Sequence, residues 1–133
     1  MKKNIKILLV EDEKLIRELV KDFLESDGFK VFEAGNGRDA FDLIKTNKFD
    51  LVISDVKMPG GDGIELAKNI QMLDGEKPIV IFITGFGDIT EPEALEFGVV
   101  KIISKPFLPD DLVNFIKGLI TSVQIRVSLD SFH

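Results

Sequence analysis

With 133 residues, 44% of them apolar and 30% charged, the chain has the composition of one folded domain with a real hydrophobic core rather than of a disordered segment. Its 17 Lys+Arg against 23 Asp+Glu leave a net charge of -6, which argues against direct binding to nucleic acid or to an anionic membrane surface. The absence of cysteine excludes disulfides and thiolate metal sites, and no apolar run is long enough to span a bilayer.

The first apolar run, residues 5–10, is too short for a secretory leader, is broken by Lys6, and runs into Glu11-Asp12-Glu13 instead of small residues. It predicts a strand, and the expected location of the protein is the cytoplasm. From Lys14 to Ser26, Leu15, Ile16, Leu19, Val20, Phe23 and Leu24 recur at helical spacing, and Gly28 stops that helix. Residues 30–34 predict a shorter strand. Asn36-Gly37 turns into a helix carrying Ala40, Phe41 and Ile44. Residues 50–54 predict a third strand, and Ile64, Ala67, Ile70 and Leu73 mark the helix after it. Residues 79–84 form the most apolar run and a fourth strand. Thr90, with Glu93 three residues on, has the pattern of a capping box opening a short helix over 91–97. Residues 99–104 predict the fifth strand. The last helix, 109–122, carries Leu112, Val113, Phe115, Ile116, Leu119 and Ile120.

This is strand–helix alternation about five times over. Strands that read as continuous apolar runs are covered on both faces, so the expected architecture is α/β: a five-stranded parallel sheet, doubly wound, with helices on both sides. In such folds the functional crevice lies at the carboxyl ends of the strands. Glu11, Asp12 and Glu13 stand after the first strand, Asp55 after the third, Thr84 after the fourth and Lys105 after the fifth.

Carboxylates gathered at one rim repel one another, and a hard divalent cation relieves the repulsion; Mg2+ suits an oxygen-only site that keeps waters. Lys105 adds a second positive charge and Thr84 a hydroxyl. Around one aspartate, that set can stabilise the equatorial oxygens of a phosphoryl group in transfer. Asp55 is then the nucleophile and an aspartyl phosphate the product. The loop behind it can aim a backbone carbonyl at the metal, while Gly60, Gly61 and Gly63 let the chain turn.

Taken together, LLVEDE (8–13), ISDVKMPGGDG (53–63), VIFITG (80–85) and IISKPF (102–107) resemble, in order and spacing, the response-regulator receiver domain of two-component signalling. The resemblance covers residues 3–122. It implies the flavodoxin-like strand order 2-1-3-4-5, with Asp55 as phosphoacceptor, Glu11 and Asp12 as the acidic metal pair, and the Lys57 carbonyl as a further ligand. It implies Thr84 as the switch hydroxyl and Lys105 as the phosphate-pairing lysine. The implied partners are a sensor histidine kinase or phosphotransfer protein and a downstream effector protein or domain. The implied activity is not that of a conventional enzyme: the domain catalyses its own phosphoryl transfer and autodephosphorylation. The chain departs from the family pattern at Glu11, where Asp is commoner, at Ile102, where an aromatic is usual, and at Leu108, which replaces the usual polar cap before the last helix.

Plainer roles stand beside these. Asp55 alone after a strand would be a loop or capping carboxylate; Glu11-Asp12-Glu13 also complement the first helix dipole, the only role expected of Glu13. Thr84 is also a β-branched strand residue, and an isolated Lys105 would be a solvated lysine. The Lys57 side chain is expected to be solvated. Phe86 packs its loop or covers the site, Gly85 permits a close approach or only a turn, and His133 has no chemical role. A phosphatase of the haloacid-dehalogenase type would need a second Asp where Lys57 stands, and no Walker loop is present. The alternative to a phosphorylated switch is a degenerate receiver acting as a phosphorylation-independent interaction module.

The expected domain is 1–122, followed by a tail, 123–133. There Val123, Ile125, Val127 and Leu129 alternate with polar residues, a pattern of period two that favours an added strand. A longer last helix and a linker stub are its rivals. Such a strand must pair with a sheet edge, and pairing with a neighbour would make a homodimer. With no DNA-binding segment after Ser122, the chain reads as a stand-alone receiver or a piece of a longer regulator or hybrid kinase.

Overall fold

The computed structural model describes residues 5–85 and 87–130, with residues 122–130 as backbone only. Five strands and five helices alternate: β1 Lys6–Val10, α1 Lys14–Ser26, β2 Lys30–Ala34, α2 Gly37–Thr46, β3 Leu51–Asp55, α3 Gly63–Gln71, β4 Ile79–Thr84, α4 Glu91–Glu96, β5 Val99–Ser104 and α5 Pro109–Asp130. All strand pairs are parallel, in the order β2-β1-β3-β4-β5. This is the expected doubly wound sheet.

The alternation of side chains along each strand builds two cores. Leu8, Val10, Val52, Val80 and Phe82 face Ala40 and Ile44 of α2, Leu66, Ala67 and Ile70 of α3, and Ala94 of α4. Ile7, Leu9, Leu51, Ile53, Ile81 and Ile83 face Val20 and Leu24 of α1 and Leu112, Val113 and Ile116 of α5. Three helices therefore cover one face and two the other. Most of β1, all of β3 and most of β4 are buried, which is why they read as unbroken apolar runs.

Helix ends follow local chemistry. Gly28, at φ 94°, takes the left-handed conformation that ends α1. Asn36 caps α2 by accepting from Asp39 N at 2.8 Å, and Asp62 caps α3 through Glu65 N at 2.8 Å. Thr90 and Glu93 close the expected capping box on α4. Leu108 is exposed and leaves its carbonyl to receive Asp111 N and Leu112 N.

The tail differs from expectation. Residues 123–130 continue α5 as helix instead of forming a strand. Extending an existing helix adds one backbone hydrogen bond per residue fixed, whereas a new strand needs a free edge to pair with. No proline interrupts 110–130, and Ile116, Ile120, Val123 and Val127 also fall at helical spacing. The dimer that a tail strand would have made by edge pairing loses its basis. β1 starts one residue later than its apolar run suggests, and β3 both starts and ends one residue later, which makes Asp55 the last residue of its strand.

Ile116 is fully buried in the core that α1 and α5 share with the sheet. Ile116→Ala should destabilise the fold by about 2–5 kcal/mol, read as a lower urea midpoint with an unchanged slope.

Candidate functional site

The strand register decides what meets at the rim. Val10 is level with Ser54, and Asp55 with Ile83. Glu11 follows Val10 directly and extends the β1–β2 ladder through Glu11 N to Ala34 O at 3.1 Å. Lys105 follows β5 and is tied to β4 by Lys105 N to Thr84 O at 2.8 Å; its bond to Pro106 is cis. Glu11, Asp55, Thr84 and Lys105 thus stand at the same end of four adjacent strands.

Asp55 is 9% exposed, Glu11 4% and Thr84 2%. The Lys105 ammonium donates to Asp55 Oδ2 at 2.7 Å and to Glu11 Oε1 at 3.3 Å. Asp55 Oδ1 accepts from Val56 N at 2.7 Å. Asp12, exposed at the head of the loop, completes a group of three carboxylates whose oxygens lie within 4.8 Å of one another. Glu11 Oε2 is buried without a hydrogen-bond partner. A buried, unpartnered oxygen beside two further carboxylates is the donor chemistry that fits a hard divalent cation.

The charges respond to this crowding. Glu11 is pushed up to about 7, first by burial and then by the neighbouring Asp55 carboxylate, towards which only a protonated Glu11 could donate, against the pull of Lys105. Burial disfavours the Lys105 charge, but its hydrogen bond to Asp55 and the charges of Glu11 and Asp55 outweigh that and hold the ammonium above its ordinary value.

The backbone around Asp55 is fixed from below. Ser54, fully buried, donates its hydroxyl to Asp55 O at 2.8 Å. Gly63 N donates to Val56 O at 2.7 Å, bringing the start of α3 over the end of β3. A Cβ on Gly63 would overlap the Asp55 carbonyl oxygen. Gly60 and Gly61 serve by positive φ, at 81° and 122°, whereas Gly63 serves by close approach.

Two residues at the rim carry no sequence signal of their own. Arg17 of α1 donates to Glu11 O at 2.7 Å and pairs with Glu33 at 3.4 Å, so it clamps the acidic loop to the first helix. Asp88 accepts from Thr84 Oγ1 at 2.9 Å and pairs with Lys57 Nζ at 3.3 Å. The Thr84 hydroxyl, and behind it Lys57, hold the Asp88 carboxyl below its ordinary range. The Lys57 side chain is exposed, as expected, but tethered by this pair. Gly85 stands in the turn, its carbonyl receiving Asp88 N at 3.5 Å, while a Cβ there would make only ordinary contact with Asp88 Oδ2 at 3.4 Å. Ile102 is half-buried against the α2–α3–α4 core. Phe86 and His133 lie outside the described residues.

A family model for the response regulator receiver domain matches residues 7–117. The chain belongs to that family. It is 36% identical over 115 residues to sporulation initiation phosphotransferase F of Bacillus subtilis, covering 86% of this chain and 92% of that one. It is 39% identical over 116 residues to the probable transcriptional regulator ycf29 of Porphyra purpurea, covering 86% of this chain but only 56% of that protein. Among solved structures, the receiver domain of the Francisella response regulator 1452 superposes with a TM-score of 0.81 at 32% identity, covering 90% of this chain and 99% of that one. This receiver domain is therefore a two-component signalling module, of a family that is generally not a conventional enzyme and that binds Mg2+ at an acidic cluster. Among the described residues, no helix is long and apolar enough to cross a membrane.

The raised Glu11 has a measurable consequence. Its folded-state value, about 7, lies above the ordinary 4.5, so the stability it contributes is complete below 4.5 and is lost as pH rises through about 7. In chelator-containing buffer, Glu11→Gln should gain stability relative to wild type as pH increases across that interval. Parallel pH profiles of urea unfolding for the two proteins would show the Glu11 assignment to be wrong.

Proposed function

We propose that the domain is a phosphorylation-activated switch that takes a phosphoryl group on Asp55 from a histidine kinase or phosphotransfer protein. The observation that carries this reading is the convergence of Lys105 on Asp55 and Glu11, with Asp12 completing a three-carboxylate group. Asp55 attacks the phosphorus of a phosphohistidine. The P–N bond breaks, its electron pair stays on the imidazole, and an acyl phosphate forms on Asp55. Lys105, already bonded to Asp55 Oδ2, pairs with the transferred group, and the Thr84 hydroxyl is the neutral donor on its other side. Glu11, Asp12, Asp55 and the Lys57 carbonyl would hold Mg2+, which would supply charge neutralisation for the phosphoryl oxygens. Hydrolysis by water at phosphorus returns the Asp55 carboxylate and inorganic phosphate, which is autodephosphorylation.

The surfaces suit a relay. Leu15, Leu19 and Phe23 are 78%, 59% and 41% exposed at intervals of four on α1, which starts directly after the acidic loop. An apolar stripe beside the site suits the helices of a phosphodonor. Output runs through α4, β5 and α5; between α4 and β5 lies a groove of about 190 Å³ walled by Ala94, Leu95, Val99, Val100 and Ile102, with Glu91 and Lys101 among its charged lining. The net charge of -6 argues against direct nucleic-acid contact by this chain. We place the working protein in the cytoplasm, where such donors present their phosphohistidines. Ile102 supports one second reading, a phosphorylation-independent interaction module, because it packs into the core where a mobile aromatic is usual.

Mg2+-dependent labelling with a small phosphodonor separates the two. Wild type should incorporate acid-labile phosphate and Asp55→Asn none. Labelling that survives the substitution puts the acceptor elsewhere, and no labelling of wild type leaves the interaction module.

Metal affinity is the second test. Asp12→Ala should weaken Mg2+ binding at least tenfold in calorimetry, the equivalent of about 1.4 kcal/mol, because the ligand set loses its exposed anionic member. Unchanged affinity would remove Asp12 from the site.

A further inference from the structure

The Thr84 hydroxyl carries one proton, and two acceptors face it: Asp88 Oδ2 at 2.9 Å and the Gly85 carbonyl at 3.3 Å. The ionised acceptor is the nearer, and a hydrogen bond to a carboxylate is about twice as strong as one to a neutral oxygen. Asp88 is itself held in place. Its other oxygen pairs with Lys57 at 3.3 Å, its backbone N–H reaches Gly85 O at 3.5 Å, and its side chain is only 19% exposed. Asp88 therefore ties the end of β4 to the loop behind Asp55.

We propose that Asp88 is a positioning residue that holds the Thr84 hydroxyl in the unphosphorylated domain, so that a phosphoryl group on Asp55 must displace a carboxylate to gain that donor. This rests on the reading of Asp55 as phosphoacceptor. A phosphoryl group brings three acceptor oxygens to the rim, and the hydroxyl can serve Asp88 or the phosphoryl, but not both. The Asp88 bond is a load on the switch: it lowers the affinity of the site for a phosphoryl group and favours the resting loop. Its release frees Asp88 two residues before Thr90, the cap of α4. The displaced carboxylate keeps Lys57 and gains water, so no buried charge is stranded.

The test is binding of beryllofluoride with Mg2+, by calorimetry, to wild type, Asp88→Ala, Asp88→Asn, Thr84→Ala and Thr84→Ala/Asp88→Ala. Asp88→Ala should bind roughly tenfold tighter than wild type, the lower range for a hydrogen bond to a charged group. Asp88→Asn, which keeps a neutral acceptor of the same shape, should fall between them and serves if the alanine variant folds poorly. In the Thr84→Ala background the gain from Asp88→Ala should shrink to less than about twofold, since a purely long-range charge effect would survive there. Equal affinity of wild type and both Asp88 variants, or a gain that persists without Thr84, overturns the proposal while leaving Asp55 as acceptor. Failure of every protein, wild type included, to bind the probe overturns the Asp55 reading and the Asp88 role with it.

Discussion

Glu11 and Asp55 are both under 10% exposed, and with Asp12 their oxygens lie within 4.8 Å. At that separation, two like charges in an effective dielectric near 20 repel by about 3–4 kcal/mol. The site holds together because the Lys105 ammonium contacts both buried carboxylates and because Glu11 meets the remaining cost by holding a proton up to about 7. Both arrangements are provisional. The lysine that neutralises Asp55 here is the group that, on the reading proposed above, would pair with a phosphoryl group, and a carboxyl that gives up its proton near neutrality would be free to serve a cation.

Such a cluster requires a rigid frame, and the parallel sheet provides it. Glu11 and Lys105 are 94 residues apart in sequence, yet they meet because β1 and β5 end at the same edge of the sheet, on either side of β3 and β4. The rim is then braced locally. Arg17 holds the Glu11 carbonyl, Ser54 holds the Asp55 carbonyl, and Gly63 lets α3 start against the latter. Each fixes a backbone from which a rim carboxylate hangs, the kind of support that keeps a preorganised site within its tolerance.

The frame was readable in the sequence because its physics is periodic. Buried parallel strands have to be apolar on both faces, and Leu51–Ile53 and Ile79–Ile83 are; helices packed on one side have to be striped, and α1 and α2 are. The rim residues were readable because each ends a strand or stands just after one. What escaped has no such regularity. Arg17 lies among ordinary helix-surface residues, and Asp88 in a glycine-rich loop, and only the folded geometry aims them at Glu11 and Thr84. The tail misled for the opposite reason: its alternation of apolar and polar residues is real, but period two and period 3.6 coincide over a short β-branched stretch, and continuity with α5 decides between them.

The placement of stability has a functional sense. β3 and the inner part of β4 carry no exposed residue, so Asp55 is presented from the most buried part of the molecule. α4 is the opposite: six residues, one of them buried, held at its start by a capping box and joined to the rim by a loop with Gly85 and Gly87. Elements with few buried contacts sit at the low end of local stability. On the reading proposed above, a charge change at Asp55 would have little leverage on the strand that carries it and more on the Thr84–Asp88–Lys57 link and the short helix beyond. Ile102, half-buried against the core, adds an apolar wall on that side of the sheet rather than a polar or aromatic partner for the Thr84 hydroxyl. That hydroxyl is bonded to Asp88 in the structure, so on the same reading the route from the rim to α4 would begin with the breaking of that bond.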